Sequence, residues 1–490
     1  MRSRTQPCRP LPLDRRSFLT ALGGVSGALI AGLDRAIAAP EPPAFPPARV
    51  RASFLYPPSD HFAANPDGWW SWPGNEFDAE GRQVEFTQAL ADAASGCGVN
   101  LITDPASIGS AEQAAALIAE LGDDPPDALL MFMFYNGSLG VADRLIEAAE
   151  KLGLPVIFCI PIGVKHGPIA HYRRPGVYFV QSKDVLGPAI RGLRMVGARK
   201  AMASARLLSI TEADEPRVGV EGFWGTTVKV LPFAYYADRF RKARFDGEAR
   251  RFVDSYIENA SEVRGITGQS LRSAAKAHLA LRQLLAEEQA HGLTMNCLRR
   301  GMLKPCMSFS ALNSTLVPAA CENDFPAMYT QLLGQRITGR GGFQHNPCYD
   351  TERNTYYASH CTCPTKLHGP EEEPLPYLMR RFAHTNEGSC AIQVFWQPGD
   401  PVTMVRYYPG EEPALDVYAG EVVESQAMPP AGGCTTNVSV RLTDREDCCA
   451  VRGHHNLLFC GDFAGDFRTF AQLHGMKVLE PYDPPGEPMR

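Results

Sequence analysis

At 490 residues the chain is longer than one hydrophobic core usually serves, which predicts two or three domains. Its formal charge is −6 and no run of Lys and Arg is interleaved with aromatics, which excludes the electrostatic footprint of a nucleic-acid binder. Residues 1–39 read as a twin-arginine export signal. Arg15 and Arg16 precede a Gly-diluted apolar run from Thr20 to Leu33, and Ala36-Ile37-Ala38 supplies a cleavage site. That run is shorter than a spanning helix, and no later segment is long and apolar enough to cross a bilayer. The expectation is a periplasmic or extracellular protein with no stable membrane insertion after signal cleavage.

A Pro-rich linker follows at 40–49, and the first domain is expected over 50–181. There the strands "VRASFLYP", "LITDP", "DALLMFMFYN" and "LPVIFCIPIG" alternate with the helices "FTQALADAASGCGVN", "SAEQAAALIAELG" and "VADRLIEAAEKLG". Apolar strands between amphipathic helices predict a parallel sheet covered on both faces, a doubly wound α/β domain. No G-x-G-x-x-G joins a strand to a helix, so a dinucleotide is not indicated. Lys165 and His166, in the loop after an apolar strand, are weaker site candidates.

The second doubly wound domain is drawn at 182–304, with "LLSI", "VKVLPF" and "LTMNCL" as strands and "SLRSAAKAHLALRQLLAEEQAHG" as a long helix. Its His278 and His291 read as solvated or core-edge residues. The third unit, 305–490, is expected to be mixed α+β with a barrel-like part rich in short strands such as "AIQVFW", "VTMVRYY" and "NVSVRL". Of 14 cysteines, Cys8 lies in the signal and the other 13 cannot all pair. Cys361-Thr362-Cys363 and Cys448-Cys449 match no paired zinc spacing, so plain buried thiols are expected rather than structural zinc.

The segment "AACENDFP" opens a helix. Phe325, Met328, Tyr329, Leu332 and Leu333 repeat at helical spacing, Asn323 or Asp324 is a competent N-cap, and Pro326 falls in the first turn. Glu322 is left over. It stands at the carboxyl end of an apolar strand, where α/β proteins gather ligand groups.

"AACENDFPAMYTQLLGQRITGRGGFQHNP", "ASHCTC" and "RGHHNLLFCGDF" together resemble the L-fucose and L-arabinose isomerase superfamily, in particular its fucose-isomerase-like members. The resemblance is carried by the last third of the chain. It implies interconversion of an aldose and a ketose, small-molecule sugars, through an ene-diol with a divalent ion, usually Mn2+. It also implies a homo-oligomer, trimer or hexamer, with sites at subunit interfaces. Position by position, Glu322 matches the metal-binding and proton-transferring glutamate, and His454 or His455, the latter preferred, matches the C-terminal metal histidine. The second family carboxylate is replaced by Asn346, which can coordinate through its carbonyl oxygen but cannot accept a proton. His345 beside it is a substitute ligand or base, and Asn346 reads equally as a turn residue before Pro347. Asp350 is a further candidate, though it fits the turn "YDTERN". His360 falls near the family's site. Trp69, Trp70 and Trp72, flanked by Asp67 and Glu76, suit sugar C–H faces and equally suit a subunit interface.

The alternative is a degenerate member that keeps the fold and sugar cleft as a binding or scaffold protein, with Asn346 the residue that separates the two. A solute receptor would lack both the helix-start glutamate and the closing histidine pair.

Overall fold

The structure, a computed structural model, describes residues 43–64, 77–298, 300, 303–382, 389–428 and 432–480. The expected signal and Trp69, Trp70 and Trp72 lie outside the described residues.

Strands β1 (Ala48–Leu55), β2 (Val99–Thr103), β3 (Ala128–Met133), β4 (Val156–Pro161) and β5 (Val177–Ser182) form a parallel sheet in the order β2-β1-β3-β4-β5. Alternation divides β3 between two cores. Leu130 and Phe132 pack with Phe86, Leu90 and Leu193, whereas Leu129, Met131 and Met133 pack with Leu117, Leu121 and Leu145. Both faces are therefore covered by helices, as an unbroken apolar strand requires.

The second sheet has the order β11-β10-β6-β8-β7, built from β6 (Arg206–Thr211), β7 (Arg217–Val220), β8 (Thr227–Pro232), β10 (Gly292–Met295) and β11 (Ala319–Cys321), while β9 (Glu262–Arg264) joins a separate small sheet. Only the edge strand β7 runs antiparallel. Strand β11 lies beyond the boundary drawn at Lys304. The helix Cys306–Ser314 is the crossover that returns the chain parallel to β10, so the second sheet is finished by the segment that carries Glu322.

The C-terminal region is a closed six-stranded antiparallel barrel. Its strands are β12 (Phe343–Asp350), β13 (Thr355–His360), β16 (Pro401–Tyr408), β17 (Ala414–Ser425), β18 (Thr436–Leu442) and β19 (Asn456–Cys460), with β16–β17 pairing closing the ring. Strand β14 (Tyr377–Arg381) pairs with β9 on one side and with β15 (Cys390–Val394) on the other, and β20 (Lys477–Val478) lies along β17. Phe343, Tyr356, Met404, Tyr418, Val438 and Leu458 share one core, filling the barrel as expected for so few strands. Tyr407, Val417, Leu457 and Phe459, at alternate positions, join the core that reaches the first sheet.

The helix Phe325–Thr338 is the link between these bodies. Asp324 caps its N-terminus by accepting from the Ala327 amide at 2.8 Å, and Gly339, at φ 68°, ends it. Its Leu332 and Leu333 are buried against the barrel and the helix Leu186–Ser204, each worth about 1.5–3 kcal/mol in apolar burial.

Candidate metal centre

Glu322 follows β11 directly, and three neighbours fix its peptide. The Cys321 amide donates to Gln344 Oε1 at 2.6 Å, the Asn323 amide to the Met295 carbonyl at 3.1 Å, and the Ser209 hydroxyl to Asn323 Oδ1 at 2.6 Å. Glu322 and Asn323 both sit in the left-handed region, at φ 63° and 57°. His455, reached from β19, does so too at φ 64°. Three of the six non-glycine residues with positive φ among the described residues thus meet at one place, each at a cost of order 1–3 kcal/mol. Such concentrated strain marks a site whose side-chain directions are imposed by the surroundings.

Those directions converge. Glu322 Oε1 lies 3.5 Å from His360 Nε2 and Oε2 lies 3.5 Å from His455 Nε2. The three donor atoms stand within 4.8 Å of one another. His360 comes from the end of β13, and its ring lies 5.3 Å from that of His455, nearly perpendicular. Both imidazoles are buried, while Glu322 keeps 25% of its side-chain surface exposed, so the carboxylate is the open side.

His455 is aimed by a second carboxylate. Its Nδ1 lies 3.0 Å from Asp324 Oδ2, which leaves Nε2 buried and without a hydrogen-bond partner. Arg406 reinforces this by donating to the carbonyls of His454 and His455 and standing 3.5 Å from Asp324 Oδ2. Gly453, at φ 83°, admits that approach, because a Cβ there would meet Arg406 Cδ at 2.5 Å. The exposed His454 lies beside His455 with ring centroids 4.1 Å apart and planes tilted by 38°, and it does not belong to the donor cluster.

Charge follows geometry. Contact with His360, aided by the charges of His455 and His454, outweighs burial and holds the Glu322 carboxyl at about 2. Burial alone would lower His360, but the Glu322 contact and nearby Cys321 raise it to about 9. Without a cation the pair is an ion pair; a cation binding His360 displaces its proton.

These residues could hold a divalent ion. A carboxylate and two imidazoles are a mixed oxygen and nitrogen donor set of the kind divalent transition metals take. An ion with ligands at about 2.1 Å separates adjacent donors by roughly 3 Å, close to the spacings present. An orphaned, buried imidazole nitrogen pointing at a carboxylate is otherwise a cost with no return.

Strand β12 sorts the remaining candidates by face. Gln344 reaches the Cys321 peptide, and Asn346, two residues on, shares its face; Asn346 Oδ1 is buried without a partner. His345 takes the opposite face. Its Nδ1 pairs with the Phe343 carbonyl and its Nε2 with the Tyr356 hydroxyl, both at 2.9 Å, and burial pushes it down to about 3. That leaves His345 no nitrogen for a cation and no affinity for a proton near neutrality. Asp350 accepts from the amides of Glu352 and Arg353 and is a turn residue. Lys165 donates to the His166 carbonyl, outside the cluster. His278 and His291 are buried, the first against Ser308 and Phe252, the second accepting from the Arg206 amide and stacked on Phe45.

A cavity of about 840 Å³ lies elsewhere, among Phe252, Tyr256, His278, Arg282 and Lys366.

No protein-family model matches the chain, and no curated protein does. The sequence reading had missed Asp324 and Arg406 as supports of the site. Their signal was present only as an N-cap and as an arginine on an alternating strand.

Proposed function

We propose that the chain is an exported, metal-dependent aldose–ketose isomerase of the fucose and arabinose isomerase type. The observation that carries this reading is Glu322 facing the Nε2 atoms of both His455 and His360, with His455 Nε2 buried and otherwise unpartnered. Glu322, His455 and His360 would hold the ion, and Asn346 Oδ1 supplies a further neutral oxygen donor. Bound there, a divalent cation supplies Lewis-acid polarisation of adjacent sugar oxygens, which acidifies the C–H beside the carbonyl. Glu322 is the carboxylate placed to move that proton between neighbouring carbons. Asp324 orients His455, the carboxylate–histidine arrangement that fixes a ligand ring. The sugar would enter from the exposed edge of Glu322, with Trp69, Trp70 and Trp72 its expected aromatic contacts and a neighbouring subunit of a trimer or hexamer completing the site.

A second reading is favoured by one observation. With His345 committed to Phe343 and Tyr356, it does not replace the carboxylate missing at Asn346, and a binding protein that has lost turnover would retain the same cleft. Incubation of the Mn2+-loaded protein with a panel of aldoses and ketoses in D2O separates the two. Deuterium at C1 or C2 is the expected result, and a panel without exchange rejects the isomerase.

A further inference from the structure

Behind the Glu322 centre, five cysteines from five separate segments form a group that reaches the other edge of His360 through Cys321 and Cys361. Cys297 follows β10, Cys306 opens the helix Cys306–Ser314, Cys321 ends β11, Cys361 follows β13 and Cys434 precedes β18. The Cys297 and Cys321 sulfurs are 3.1 Å apart, and Cys361 Sγ lies 3.7 Å from His360 Nδ1. Cys306, Cys321 and Cys434 are the neighbouring thiols that, with burial, push the Cys361 thiol up. Donor atoms of Cys321, His360 and Cys361 stand within 4.8 Å of one another, whereas a tetrahedral ion with sulfur ligands at about 2.3 Å spaces its donors by roughly 3.7 Å. Single buried cysteines are ordinarily small hydrophobes. Five at the ends of separate elements, two of them beside one imidazole, make up a donor set.

A second observation points the same way. Lys304 is 4% exposed, donates to the Cys297 carbonyl at 2.9 Å and lies over the Phe382 ring at 4.6 Å. Among the described residues no carboxylate stands within ion-pair distance of it, so a buried ammonium lacks a counter-charge. A divalent ion held by three thiolates carries a net negative charge and would supply it.

We propose that Cys321, Cys361 and neighbouring thiols of this cluster, with His360 at its edge, bind a thiophilic divalent cation of the zinc type. The site adjoins the oxygen-rich Glu322 centre across His360, which turns Nε2 to Glu322 and Nδ1 to Cys361, and Cys434, partly exposed, is its entrance. No sequence spacing announces it, since its ligands arrive from β10, β11, β13 and β18 rather than from a paired motif. The proposal does not depend on isomerase activity.

The test uses the full chain, kept reduced and titrated with Co2+. The wild type is expected to show thiolate-to-cobalt charge-transfer absorption and intense tetrahedral ligand-field bands at about one equivalent. Cys361→Ser and Cys321→Ser should each lose most of that absorption while circular dichroism confirms the fold. Glu322→Gln, which removes only the hard centre, should keep it, as should Cys449→Ser, which removes the exposed thiol of the Asp447, Cys448 and Cys449 group. A wild type without charge-transfer absorption, or absorption that survives Cys361→Ser or vanishes with Cys449→Ser, overturns the proposal.

Discussion

Asp324 performs two tasks with two oxygens. Oδ1 accepts the Ala327 amide and starts a helix, while Oδ2 meets His455 Nδ1, 131 residues along the chain. The capping task is legible in "ENDFP"; the second depends on a residue that only the folded chain brings near. The two can be separated by Asp324→Asn. Asparagine caps as well as aspartate, so the helix should lose no more than about 1 kcal/mol. Loss of the orienting carboxylate should weaken Mn2+ binding about 10–100-fold, measured by calorimetry. Equal affinity in the variant would show that His455 needs no support from Asp324. Glu322 itself was legible because its position has no other use: the cap was already filled, yet a carboxylate stood at a strand end.

At the scale of elements, the helix Phe325–Thr338 sets the distance between its own N-terminus and the barrel strand that leads from His455. Gly334 makes this possible, since a Cβ there would stand 1.9 Å from Phe459 Cζ on β19. Gly334→Ala must push β19 away, and a loss of about 1–3 kcal/mol in urea stability is expected, with weaker Mn2+ binding alongside. A variant of unchanged stability would mean that the Phe459 ring swings aside without moving its strand. The helix's apolar stripe could be read from spacing alone, and Met328, Tyr329, Leu332 and Leu333 are buried as that spacing requires. The phase of β12 could not. Alternation says that His345 and Asn346 face opposite ways, but which one faces the barrel interior depends on the pairing of β12 with β13 and β19, a contact between distant segments.

Across the whole molecule, the parallel first sheet was legible because each apolar strand is followed by its own helix, whereas barrel closure was only partly so. "AIQVFW" belongs to the small three-stranded sheet, and β12, β13 and β19, short and of mixed polarity, complete the ring instead. Burial on this scale also fixes a pH response. Desolvation lowers His278, His345 and His474 to about 3 and His291 to about 4. Each folded-state value lies below the ordinary 6.5, so the unfolded chain takes up protons first and stability falls as pH drops below about 6.5. The loss is up to about 1.4 kcal/mol per pH unit for each group. His360, raised to about 9, has the opposite sign, but its contribution is already complete below 6.5 and adds no further slope. In chelator, the urea midpoint should therefore fall steadily from pH 7 to pH 5; a flat profile would mean that these imidazoles are not held neutral.

The central claim is that one hard cation is shared by Glu322 and His455. Electron paramagnetic resonance titration of the full chain with Mn2+, run in parallel on the wild type and Glu322→Gln, addresses it directly. The account predicts one equivalent of free-ion signal lost on binding to the wild type and little lost with the variant at matched circular dichroism. Equal uptake by both proteins, or none by the wild type, would contradict it.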